Sequence, residues 1–276
     1  MAKVDPKAMA ATQPVPDFMA PYKGAGTEGL GKSDLEIPRL KLLQALSPEC
    51  TEFDSAKAGH FWHTLLDESL GKSLKIVAVY TDISYILWRP RHMGGGILAR
   101  AADGVHWTPN NATFEVQPKQ GNKQTAVWKT APTVQASGLA EWGSSLPDDP
   151  QSQPAATKMY NVAVIFPDLE RELSPAVVTM QRSAITVARK FMGKIKISNL
   201  PSFGQYYMME SVEQHGQLGT FFNFKFTKAG LVQNEAEFND YKNTYEAFKS
   251  MGLNIKDIEN LQDDDDPDTT VGEEKF

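Results

Sequence analysis

The sequence predicts a mainly β, α+β domain: many short strands forming a barrel or sandwich, with two helices late in the chain. Three observations carry this. Short apolar or alternating runs recur between Gly59 and Gln181, each bounded by Gly, Pro, Asn or Asp. Helical periodicity appears clearly only after residue 182 and again after residue 233. Strands do not alternate with helices, so a parallel βαβ architecture is not expected.

Taken in order, residues 1–34 are rich in Pro, Gly, Ala and Thr without periodicity and read as a disordered arm. Order should begin near "LEIPRLKLLQALSPE", where Ile37, Leu40, Leu42, Leu43 and Leu46 are expected to enter the core. Residues 59–66 read as a strand, 67–72 as a turn, and 73–90 as a long strand or a hairpin. Pro90 and the glycines at 94–96 break it, and shorter strands are expected at 96–101, 104–107, 112–117 and 125–130. Residues 138–158 are loop by their Gly, Ser and Pro content. Strands resume at 159–168 and 174–181.

A helix follows with Ser183 as its expected N-cap. Ile185, Val187, Ala188, Phe191, Met192 and Ile195 share one side of it, and Arg182, Arg189, Lys190, Lys194 and Lys196 the other. A hairpin turning near "EQHGQLG" comes next, with Phe222, Phe224 and Phe226 in the core. The last helix has Asn234 and Glu237 as a capping box, a stripe of Phe238, Tyr241, Tyr245 and Phe248, and Gly252 as its stop. The organisation is therefore an arm (1–34), one domain (35–256) with a loop-rich elaboration near 91–158, and a tail (257–276).

No apolar run approaches the ~20 residues of a membrane span, and no apolar leader opens the chain. A single cysteine, Cys50, excludes an internal disulfide and a multi-cysteine metal site. A reducing, cytoplasmic location is expected, within a bacterial host if the chain is phage-encoded. The net charge is −6, but it is unevenly spread: residues 257–276 carry nine acids and one Lys, leaving 27 basic and 25 acidic residues elsewhere. Ser69–Thr130 and Gln181–Val232 are both basic blocks.

Catalytic signatures are missing. "GTEGLGKS" (Gly26 to Ser33) matches a phosphate-binding loop formally. No apolar strand precedes it, however, and Pro38 cuts off the helix that should follow. His60 and His63 would lie on opposite faces of a strand; His92, His106 and His215 are isolated. There is no G-x-S-x-G. Neither an enzyme nor a cofactor or metal is expected.

What the chain offers instead is aromatic and basic interleaving. Single-stranded nucleic acid is held by rings that stack on bases and by Lys and Arg that track phosphates. The candidates are Tyr85, Trp88, Arg89, Arg91, Arg100, Trp128, Lys129, Arg189, Lys190 and Lys194. The same pattern also suits rings filling a core with solvated charges beside them. The acidic tail, with Asp263, Asp264, Asp265, Asp266, Glu273 and Glu274 before Phe276, tips the balance. It can compete with a polyanion for the basic body, and offer a partner an aromatic anchor among carboxylates.

A β-rich body, a late helix and an acidic, Phe-ending tail resemble the single-stranded DNA-binding proteins of tailed bacteriophages. The segments "IPRLKLLQALSPE", "SYILWRPRHMGGGILARA" and "SGLAEWGS" are similar to phage replication-region proteins of that role. The resemblance implies an OB-fold-like barrel, protection of exposed strands in replication or recombination, and a tail that contacts a polymerase, primase-helicase or recombinase. Two departures stand: Lys275 precedes the final Phe, and residues 91–158 exceed a minimal OB-fold. The alternatives are an adaptor or virion protein that binds no DNA, and a strand-annealing protein. Oligomeric state is left open.

Overall fold

The computed structural model describes residues 37–121, 123–169, 175–216 and 219–253, together with Phe18, Pro21, Ala25 and Gly26. The chain divides into Met1–Glu36 and Ile37–Phe276, and the described strands and helices all lie in the second unit. The formal phosphate-loop match falls mostly outside the described residues, as does the acidic tail.

The described part is mainly β with antiparallel sheets and few helices. Three strands, β1 (Leu40–Leu42), β2 (Phe61–His63) and β3 (Glu68–Gly71), form a small sheet in that order. The principal sheet is built on β4 (Ser73–Trp88), a single 16-residue strand. It adds β5 (Ile97–Ala101), β8 (Ala156–Ile165), β9 (Ala176–Gln181), β10 (Gln205–Gly216) and β11 (Gly219–Leu231). Its order is β11-β10-β4-β8-β9, with β5 pairing the far end of β4. A separate hairpin joins β6 (Thr113–Val116) to β7 (Ala126–Lys129). Two one-turn helices, α1 (Glu49–Glu52) and α2 (Val134–Ser137), precede α3 (Ile185–Ile197) and α4 (Glu235–Met251).

The pairing of these strands does not confirm the expected barrel. The principal sheet has β11 and β9 as two separate edges, so closure is missing among the described residues. Both edges are occupied in another way. The Gln44 side chain pairs both ways with the backbone of Phe222, donating to its oxygen at 3.0 Å and accepting from its nitrogen at 2.8 Å. Asn223 Oδ1 accepts from the Phe224 N–H, and Lys194 Nζ donates to the Phe226 oxygen. On the other edge the Val177 N–H bonds Pro38 O. Where outer amides and carbonyls are taken in this way, the edge resists pairing with a second chain.

Each face of the sheet is buried differently. Leu74, Ile76, Tyr207, Met209, Phe224 and Phe226 meet Ala188 and Phe191 of α3 and Phe61 of the small sheet. Val77, Val79, Met159 and Ala163 on the opposite face meet Tyr241 and Phe248 of α4. A β-bulge between Ala78 and Tyr80 lets the sequence neighbours Val79 and Tyr80 serve this same face across one shifted register. At the β5 end, Leu87, Ala99 and Ala101 are covered by Trp107, Val116, Trp128 and Leu139. The elaboration near 91–158 is thus a layer with its own core. Within the valine-rich face, Asn161 Nδ2 donates to Ser84 Oγ and Thr179 Oγ1 donates to Asn161 Oδ1, a polar row spanning three strands.

Several local expectations need correction. Residues 67–72 hold strand β3, because Ser69 and Gly71 pair with β2 after the hairpin turn. Residues 104–107 form no strand; His106 and Thr108 make only isolated bridges. Leu46 is 87% exposed, because it lies in the turn at residues 44–47 that follows buried Leu43. Ser183 does not cap α3, which is entered through a 3₁₀ turn over Arg182–Ala184. Asn234 does cap α4, accepting from the Ala236 and Glu237 amides, but Glu237 turns outward to accept the Tyr206 hydroxyl at 2.6 Å.

Candidate nucleic-acid interface

The candidates drawn from the sequence come to rest in separate places. Trp88, Arg89, Arg91 and Arg100 gather where β4 turns into β5. Arg189, Lys190 and Lys194 stand on α3, which packs over the opposite end of β4. Between Ile76 and Trp88 lie about 40 Å of extended strand, so these groups make two sites and not one.

The aromatic platforms are largely spent on packing. Trp128 is only 4% exposed, its indole N–H donates to Ser145 O, and it fills the core between the β6–β7 hairpin and β5. Contrary to expectation, it cannot stack on a base in this conformation. The alternation that buries Trp128 leaves Lys129 on the wet side of the same strand. Tyr85 is half-buried, and Lys158 lies 5.8 Å from its ring and 5.0 Å from that of Tyr160. Trp88 is half-buried against the α4 cluster, with its indole nitrogen buried. The most exposed tryptophan among the described residues is Trp142, at 70% in the loop after α2. Periodicity does not single it out, because it belongs to no strand or helix.

The basic helix face is better formed. Along α3, Ala188 and Phe191 are buried, while Arg189, Lys190, Lys194 and Lys196 are exposed, and the helix carries no acid. Lys194 and Lys196 sit in the last turn, where a cation offsets the helix dipole and so has a local reason to be there. Arg189 and Lys190 are mid-helix and have no such reason. Phe191 stacks on Phe226 with centroids 4.0 Å apart and meets Tyr207 edge-on at 5.0 Å. These contacts hold α3 along β10 and β11 and leave a groove of about 260 Å³ between them. Its floor is Phe191, Phe224 and Phe226, and its rim is Lys190, Lys194 and Lys225. Lys225 is paired with Glu210 at 3.0 Å, and Lys228 is exposed farther along the same strand. Neither lysine is among the sequence candidates. Alternation accounts for Lys225, which falls between inward-facing Phe224 and Phe226, but not for Lys228, which shares their parity on the strand.

Nothing at Cys50 suggests nucleophilic chemistry. Burial, then the neighbouring Glu49 carboxylate, pushes its thiol above the usual value, away from the reactive thiolate. His60 is bound to Ser69 through Nδ1 at 2.8 Å and lies before β2, whereas His63 is inside it and buried. The tail candidates Asp263, Asp264, Asp265, Asp266, Glu273, Glu274 and Phe276 lie outside the described residues.

Residues 7–254 match the model of a family described as Pam3 phage gp34-like protein. The chain belongs to that family. The match covers the whole described body and ends before the acidic tail, and the family is one of phage proteins. No curated protein and no solved structure matches the chain.

Proposed function

We propose that this member of the gp34-like family is a non-enzymatic phage protein that binds single-stranded nucleic acid through the cationic side of α3 and β11. The observation that carries the reading is α3 itself: four exposed cations, no carboxylate, and two of the four in positions the helix dipole does not call for. A strand laid along the groove would set phosphates against Arg189, Lys190, Lys194 and Lys228, with bases toward the apolar side. No closed barrel is required for this, because the site lies between a helix and a strand pair. The protein would shield exposed strands during replication or recombination, and the acidic tail would compete with them for the cations by charge and engage a replication partner.

The test is binding of fluorescent oligo-dT over a salt series. Affinity should fall steeply with salt, and the charge reversal Arg189→Glu with Lys190→Glu should flatten the slope by about one for each phosphate no longer held. Removing residues 257–276 should tighten binding at low salt. A chain that ignores oligo-dT in dilute buffer refutes the proposal; equal affinity with and without the tail refutes the competition.

A further inference from the structure

Trp142 is held in water by a loop that is not free to hide it. Residues 139–156 fold back on themselves after α2. The Gly143 N–H bonds Ser152 O at 2.7 Å, the Ser145 N–H bonds Gln153 O at 3.2 Å, and the Ala156 N–H bonds Leu139 O at 2.8 Å. Side chains close the inside. Ser152 Oγ accepts from the Leu146 N–H at 3.0 Å, while Ser144 Oγ donates to Glu141 O at 2.6 Å and accepts from the Ala155 N–H at 3.0 Å. Leu139 and Leu146 are buried, and Trp128 ties the loop to the β6–β7 hairpin through Ser145 O. At Gly143 (φ +85°) a Cβ would lie 3.1 Å from Pro150 O, so the two limbs touch beside the indole-bearing residue. The indole is nevertheless 70% exposed.

A ring fixed in solvent is ordered before any contact is made, which lowers the entropy cost of association, and tryptophan is enriched among interface anchors. Its surroundings say what it meets. Glu141 adjoins it, Asp148 and Asp149 precede Pro150 on the facing limb, and all three are exposed. Residues 131–157 contain these three acids and no Lys or Arg. An apolar ring among carboxylates calls for an apolar recess rimmed by cations. The described chain has such a recess in the groove beside α3, floored by Phe191, Phe224 and Phe226 and rimmed by Lys190, Lys194 and Lys225. The two surfaces belong to opposite ends of β4: Leu139 packs with Leu87 and Trp128, whereas Phe191 packs with Leu74 and Ile76. One chain cannot bring its own loop to its own groove. A second copy can.

We propose that the Trp142 loop of one protomer seats in the α3 groove of another, with the loop's carboxylates against the groove's lysines. Because the two surfaces differ, the contact is head-to-tail, and it repeats into open chains or closes into rings. It needs no nucleic acid and stands independently of the proposed function, although a strand laid in the groove would exclude it.

Sedimentation velocity on the full chain, at low salt and without nucleic acid, tests this. A single anchored loop makes a small, transient contact, so the average mass should climb steadily over about a hundredfold rise in concentration. Trp142→Ala removes an exposed ring, and Lys190→Glu with Lys225→Glu reverses two exposed rim charges. Each should weaken association about tenfold or more. An equimolar mixture of the two variants then separates this contact from any other. The first keeps a sound groove and the second a sound loop, so each pair can make one contact: dimers should return, and nothing larger. The proposal is overturned by a chain that stays monomeric throughout, by association that either variant leaves intact, or by a mixture that behaves as its separate components.

Discussion

Phe191→Ala asks how α3 is held. The ring is 1% exposed, lies face to face on Phe226 at 4.0 Å and 11°, and meets Tyr207 edge-on at 90°. Truncating a buried phenylalanine typically costs about 3–5 kcal/mol, through lost transfer energy and the void left behind. Here the void would open into the groove beside α3, so water can enter it, and the lower end, about 3 kcal/mol, is expected. Phe191→Leu keeps apolar bulk and gives up the ring pairs, and should cost about 1–1.5 kcal/mol. Urea unfolding followed by tryptophan fluorescence measures both. Because Ala188 is the only other fully buried side chain of α3, the alanine variant should also speed amide exchange along that helix, while α4 is unaffected. A loss below about 1.5 kcal/mol, or exchange unchanged in α3, would show that the helix is held by something other than this ring.

Gln44→Ala removes both hydrogen bonds to the Phe222 backbone and uncovers the β11 edge; about 1–2 kcal/mol of stability should go, with concentration-dependent turbidity on heating as the second sign. Tyr206 has its ionisation pushed up, first by burial and then by donating to Glu237, so its contribution is complete below the ordinary tyrosine value near 10 and disappears as pH rises toward the folded one. Tyr206→Phe should cost about 1 kcal/mol at neutral pH and blunt the alkaline loss, read by denaturation at about pH 7 and about pH 11. Asp103 is held down to about 2: burial opposes ionisation, but the His106 amide, the His106 ring and the Val105 amide all donate to the carboxylate. Its contribution is therefore full above about pH 4 and lost as pH falls through about 2. Asp103→Asn should flatten the acid limb of the stability curve, by a small amount because the turn is exposed.

Features with a local cause are legible in the sequence. The stripe Phe238, Tyr241, Tyr245 and Phe248 faces the sheet as its spacing requires, with Asn234 capping and Gly252 at φ +70° stopping α4. The run from Ser73 is one long strand, the first of the two forms its composition allows, and Phe224 and Phe226 of β11 are core as their alternation requires. Features that depend on partners distant in sequence are not legible. A tryptophan beside a lysine looks the same whether the ring stacks on a base or fills a core, and only the hairpin register of β6 with β7 buries Trp128. Likewise, nothing local shows that Arg89 and Arg189 belong to sites at opposite ends of one strand. The small sheet is only partly foreseeable, because Leu40–Leu42 and Glu68–Gly71 are too short to show a period.

The long strand β4 contributes to three of the hydrophobic clusters, and its partners arrive late: Leu74 pairs with Met209, and Ile76 with Tyr207. During synthesis it must therefore wait on the ribosome for more than a hundred further residues before the face it shares with α3 can be covered. Pairings so far apart favour slow assembly, on the millisecond-to-second scale even once the whole chain is free. Until then the valine- and isoleucine-rich run is the segment a host chaperone would find first.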